Sequence, residues 1–265
     1  MVLQARVRAG AQLLSGSEAV VSSLGGVFFQ VSTLFRAVLF DYDDTLIDTS
    51  FAKKEAFERV SQLLTSGLDG HAPKHSLVPE ISRLSEEMNE RRYYDRDMWW
   101  KRIAAHYGHS ISDARAAEIT EAYWVILKEQ SVPFPDTIHV LSTIRKKGLK
   151  IGLVTDTDGK PGLKRRRLKD SPILEYVDAI VVSGDETKYP KPDVEGFLKC
   201  SAELGIAPSE SLFVGDKPYT DVAGANAAGM KSVLLMRRQW RDTHSPTYMC
   251  SSLSAVLDLL GEVPA

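Results

Sequence analysis

Cysteine is scarce in this chain of 265 residues: there are two, Cys200 and Cys250, far apart and without CxxC spacing. That pattern excludes a disulfide framework and a cysteine zinc site, and it fits a reducing cytoplasm. No apolar run approaches the ~20 residues a bilayer-spanning helix needs. Charge of one sign is not in surplus either: 33 Lys and Arg face 35 Asp and Glu, a formal net charge of -2. Broad binding to nucleic acid or to an anionic membrane, which requires a basic surplus, is therefore not expected. Internal repeats and low-complexity tracts are also missing. What is present is an ordinary globular composition, 43% hydrophobic and 26% charged, long enough for one large domain or two unequal ones.

Residues 1–34 stand apart. Glu18 is their one acid, Arg6 and Arg8 precede it, and Ser and Gly recur. The bias is that of an organellar transit peptide, but the segment makes a poor secretory signal. The plainer reading is a loosely attached extension or an unused upstream start, and no function is assigned to it.

Five apolar, β-branched-rich runs read as strands: Arg36–Phe40, Lys150–Thr155, Ala179–Ser183, Ser211–Gly215 and Ser232–Met236. Continuous runs of this length suit strands covered on both faces. Helical patterns alternate with them over Thr137–Lys147, Gly162–Lys169, Val194–Leu204 and Thr220–Ala228, with Gly148 and Gly205 at expected C-caps. This alternation predicts an α/β fold, a doubly wound parallel sheet. Between the first two strands, residues 49–130 carry helical patterns and no convincing strand. They are expected to form an inserted all-helical domain on a loop at the active edge, leaving 35–48 and 131–265 as the core.

Three carboxylates, Asp41, Asp43 and Asp44, crowd the end of the first strand in FDYDDTL. Alone, such a cluster is a solvated turn. Its company changes the reading, because the second strand ends in Thr155 and the fourth in Gly215-Asp216 with Asp221 following. Open α/β sheets bind ligands outside the carboxyl ends of their strands. Asp41 and Asp216 brought together would repel unless a hard cation lay between them, and Mg²⁺ takes oxygen ligands of this kind. A carboxylate so placed can attack phosphorus and form an aspartyl-phosphate. Asp43, projecting to the same side, can protonate the leaving alcohol and then activate water. Thr155 offers a hydroxyl to phosphoryl oxygens, and Lys191 in KYPKPD offers charge that stabilises the transition state.

Four motifs in order now carry a resemblance: AVLFDYDDTL, IGLVTD, KPD and LFVGDKPYTDVAGANAAGM. They resemble the haloacid dehalogenase (HAD) superfamily, specifically its phosphatases with a helical cap, over roughly Arg36 to Arg237. The resemblance implies a HAD-like Rossmannoid core and Asp41 as nucleophile and metal ligand. It implies Asp43 as acid/base and as a metal ligand through its backbone carbonyl. Thr155 and Lys191 become phosphate binders, Asp216 a metal ligand, and Asp221 a supporting carboxylate near the metal. The implied activity is Mg²⁺-dependent hydrolysis of a small phosphorylated metabolite. Two positions depart from the pattern: Asp44 where Gly is frequent, and Asp156 where Asn or Ser follows the threonine.

Alternatives within the family are a phosphomutase, a dehalogenase, which Asp43 argues against, and a phosphonatase, for which no cap lysine among Lys53, Lys54 and Lys101 is marked out. Outside enzymes, a non-catalytic binding protein on the same fold would be expected to have lost a carboxylate or the lysine. Lys188 rivals Lys191, but the Pro-Asp after Lys191 favours the latter. Lys164-Arg165-Arg166-Arg167 reads as a solvated helix face rather than a nucleic-acid patch. His71 and His75, with Pro73 between them, do not read as a zinc pair. The aromatic residues of RRYYDRDMWW read as packing, with Arg91, Arg92, Tyr94 and Trp99 as candidates to read a leaving group.

Overall fold

A computed structural model describes residues 35–66 and 75–261, together with the short backbone stretches Ala11–Leu13, Val21–Leu24 and Val27–Gln30. His71 and Pro73, and most of the 1–34 extension, lie outside the described residues. By their contacts the residues form two compact units. The first holds Met1–Leu46, Phe134–Thr155 and Ile173–Ala265, and the second holds Ile47–Pro133 and Asp156–Pro172. The sequence reading had left 156–172 with the core.

The first unit is built on strands β1 (Ala37–Phe40), β2 (Lys150–Asp156), β3 (Ala179–Ser183), β4 (Ser211–Gly215), β5 (Lys231–Leu235) and β6 (Tyr248–Cys250). Their order is β6-β5-β4-β1-β2-β3, with Ala11–Leu13 antiparallel on the β6 edge. The pairs β6–β5, β5–β4, β4–β1 and β1–β2 are parallel. Winding runs one way from β1 to β3 and the other way from β4 to β6, so the switch point lies between β1 and β4. Every residue of β1 and β4 is buried, which is why their sequences, Ser211 aside, are apolar runs. Helix Val194–Leu204, capped by the Asp193 side chain at its start and by Gly205 at φ +68° at its end, packs tightly on the sheet. A Cβ on Gly152 would lie 2.7 Å from Cys200 Sγ and 2.9 Å from Leu39 Cγ. Burial pushes the Cys200 thiol up to about 12, so it is an inert packing group.

The second unit is helical: Ser50–Thr65, Val78–Glu90, Arg96–His106 and Asp113–Gln130. Apolar residues three and four apart make each a sticky face: Ala52, Ala56, Phe57, Val60 and Leu64 on the first helix, and Ile81, Leu84 and Met88 on the second. The aromatic residues of RRYYDRDMWW that were read as packing include Trp99 and Trp100, both buried here. Their indole N–H groups donate to the Tyr93 carbonyl and to Thr120 Oγ1, both at 2.9 Å. Trp99, a candidate substrate reader by sequence, is therefore core, and the Arg96 guanidinium lies over its ring at 3.5 Å. Arg91 is exposed and pairs with Glu87, one turn earlier. Tyr94 donates its hydroxyl to Asp156 Oδ2 at 3.0 Å, so both belong to this unit.

One expectation is overturned. The KRRR run is not a solvated face: Lys164 and Arg167 are buried, and only Arg165 and Arg166 between them are exposed. The physical reason is Asp158, itself buried. Arg167 donates to it through Nε at 2.8 Å and a terminal nitrogen at 3.0 Å, and Lys164 lies 3.4 Å away. An i, i+3 pair on helix Leu163–Leu168 shares one side, and a fork-shaped guanidinium suits a carboxylate there.

Candidate active site

Sheet register brings the first candidates together. Phe40 is level with Leu153 of β2 and Val214 of β4, and the Asp41 N–H donates to the Val214 carbonyl at 3.0 Å. Asp41 and Asp216 therefore leave neighbouring strands just past the carboxyl edge, on the two sides of the switch point. Thr155, buried near the end of β2, stands at the same edge.

The loop after β1 is held in place by long-range bonds. Arg237 donates to the carbonyls of Asp44 (3.2 Å) and Thr45 (3.0 Å) while stacking 3.5 Å over the Phe134 ring. Asp44 sits at φ +64°, left-handed backbone, which accounts for Gly or Asp at this position since both tolerate it. After β4 the chain makes one wide turn over Pro218–Val222 that aims Asp221 back under the strand end. Its Oδ2 accepts from the Lys217 N–H at 3.0 Å. A Cβ on Gly215 would fall 2.4 Å from Asp221 Cγ, so only glycine leaves room for that carboxylate.

Asp41, Asp216 and Asp221 each present an oxygen, and these atoms all lie within 4.8 Å of one another. All three residues are buried. Lys191 reaches into the group and donates to Asp41 and to Asp221, each at 2.7 Å. Lys188, its rival in the sequence, is exposed, with its ammonium over the Tyr189 ring. Asp43 is half-buried in the loop, and its side chain is not one of the three gathered carboxylates.

Charge in this group is unevenly met. Burial pushes the Asp41 carboxyl up from its ordinary value, and Lys191 opposes the rise. Asp216 is less well served. Thr45 Oγ1 donates to it at 3.4 Å, and the Lys217 ammonium stands 3.8 Å off, both long contacts. Burial pushes this carboxyl up to about 7; Lys217 opposes that, and Asp44, Asp221 and Asp41 add to it. A buried carboxylate whose nearest cation stands 3.8 Å off, beside two others, is a donor set suited to a hard divalent ion with oxygen ligands. The residues present fit such a group.

Sequence reasoning passed over three contributors. Lys217 was readable as a cation inside the GDxxxxD motif. Thr45 was quoted in its motif without a role. Arg237 carried no local signal, because its partners lie almost the whole length of the core away in sequence.

Comparison with known proteins agrees with this geometry. A family model for haloacid dehalogenase-like hydrolases matches residues 35–229. A glyceraldehyde 3-phosphate phosphatase of Methanopyrus kandleri is 29% identical over 210 residues, covering 79% of this chain and 87% of its own. Mouse N-acylneuraminate-9-phosphatase is 27% identical, covering 86% of this chain and 94% of its own. Among solved structures, a HAD phosphatase of Thermococcus onnurineus superposes with a TM-score of 0.63 at 27% identity, covering 85% of this chain and 98% of that one. No helix among the described residues is long and apolar enough to cross a membrane.

Proposed function

We propose that this chain, which belongs to the haloacid dehalogenase-like hydrolases and is a phosphatase of that family, hydrolyses a small phosphomonoester with the help of Mg²⁺. The observation that carries this reading is the gathering of Asp41, Asp216 and Asp221 within 4.8 Å, with Lys191 bonded to two of them.

In this reading Asp41 attacks phosphorus through its carboxylate while the ester P–O bond breaks, leaving the phosphoryl group on Asp41. Asp43 gives a proton to the departing alkoxide. It then takes one from water as that water attacks the aspartyl-phosphate, which releases inorganic phosphate and restores Asp41. Lys191 favours the ionised nucleophile against the cost of burial and offers its charge to the phosphoryl oxygens, as Thr155 offers its hydroxyl. Asp41, Asp216 and the Asp43 carbonyl, supported by Asp221, would hold Mg²⁺, which supplies positive charge to offset that of the phosphoryl group. The compounds in the relatives' names, glyceraldehyde 3-phosphate and an acylneuraminate 9-phosphate, favour a small metabolite as substrate.

An aryl phosphate assay tests the reaction class. Hydrolysis should need Mg²⁺ and stop with EDTA; turnover indifferent to EDTA would contradict the reading. A panel of phosphorylated sugars, glycolytic acids and nucleotides then identifies the substrate.

A further inference from the structure

The mechanism makes no use of a lysine at the site. Lys217 follows Asp216 directly, and its ammonium is 3.8 Å from Asp216 Oδ1. The Asp216 carboxylate otherwise has the Thr45 hydroxyl at 3.4 Å. Lys191 cannot serve it in the same way, since its ammonium is committed to Asp41 and Asp221 at 2.7 Å each. Lys191 is also sealed, with a side chain 2% exposed, whereas the Lys217 side chain is 28% exposed. The two lysines thus differ in kind: one is sealed in the floor, and the other is partly exposed. Backbone bonds anchor Lys217 at its base, with its N–H on Asp221 Oδ2 and its carbonyl accepting from the Asp221 N–H. Only the flexible stem needs to move.

We propose that Lys217 is an internal counter-ion for the metal-free site, standing in beside Asp216 and swinging to solvent when a divalent cation binds. The inference rests on the metal reading above and goes beyond it. An ammonium at this distance from a metal-ligating carboxylate repels the incoming ion, so Lys217 sets how weakly the site holds its metal. It also limits the repulsion among three buried carboxylates when no metal is present. Removing the charge favours the metal even against competing protons, because the metal carries two charges and a proton one.

The test uses the full chain stripped with EDTA and titrated calorimetrically with MgCl₂ at fixed pH and low salt. Lys217→Met should bind Mg²⁺ about fivefold tighter than the unchanged protein, or more, and Lys217→Arg should bind it much as the unchanged protein does. A second measurement needs no variant. Labelling with an amine-acylating reagent, read by peptide mass spectrometry, should show Lys217 severalfold more reactive in Mg²⁺ than in EDTA. Mg²⁺ binding that is unaltered or weaker in Lys217→Met overturns the counter-ion role and leaves the metal reading standing, as does Lys217 labelling unchanged by bound Mg²⁺. An unchanged protein that takes up no Mg²⁺ overturns both.

Discussion

Each unit buries a cluster of charge. In the α/β unit three carboxylates are buried together: Asp41 and Asp221 share the buried ammonium of Lys191, and Asp216 is left with contacts of 3.4 and 3.8 Å. In the helical unit the buried carboxylate of Asp158 is met by Arg167 at 2.8 and 3.0 Å and by Lys164 at 3.4 Å. The difference separates two uses of buried charge. Where donors close around the acceptor, the cluster fixes a segment of chain. Where charge is left poorly met, the cost of burial fits the divalent ion proposed above.

The largest expected effect breaks the first cluster at its proposed nucleophile. Asp41→Asn should lower turnover of an aryl phosphate by about a thousandfold or more, while the thermal unfolding midpoint changes little. Next, Asp158→Asn removes the buried carboxylate that Arg167 and Lys164 meet. It should cost about 3 kcal/mol, seen as a drop of roughly 6–12 °C in the unfolding midpoint. Mg²⁺ affinity should not follow that loss, and a variant that lost metal binding in proportion to stability would erase the contrast between the clusters.

A smaller effect is set by pH. With Asp216 pushed up to about 7, a proton competes for the site below that pH. Mg²⁺ affinity should fall about tenfold for each pH unit below 7 and level off above it. The same shift has a second sign to check in the metal-free protein. The folded chain keeps a proton that an unfolded carboxyl, with an ordinary value of 3.8, has released. This group's contribution to stability is therefore full below the ordinary value and is lost as pH rises through about 7. Asp216→Asn should flatten the stability profile, as measured by denaturant unfolding across pH. At the small end, Arg36→Ala breaks an exposed pair with Glu210 and should change stability by about 0.3 kcal/mol.

Much of the frame was legible because the core strands are buried on both faces. β1 and the Leu-Phe-Val centre of β4 read as apolar runs, and the carboxylates after them mark the strand ends. β6 was not legible: Tyr248–Cys250 is three residues long and follows a polar stretch without periodicity. The buried side of Leu163–Leu168 was hidden for a different reason. A basic run reads as solvated unless its acid is known, and Asp158 lies in a turn-rich loop that shows no such pairing. At the site, residue types announced the chemistry, but the uneven sharing of Lys191 and the standing of Lys217 beside Asp216 are matters of distance. Those came only with the fold.

Metal binding tests the contrast most directly. Calorimetric titration of MgCl₂ into EDTA-stripped protein at pH 8 should show one site per chain, lost in Asp216→Asn and intact in Asp158→Asn. Absence of binding in the unchanged protein, or equal binding in Asp216→Asn, would contradict the account.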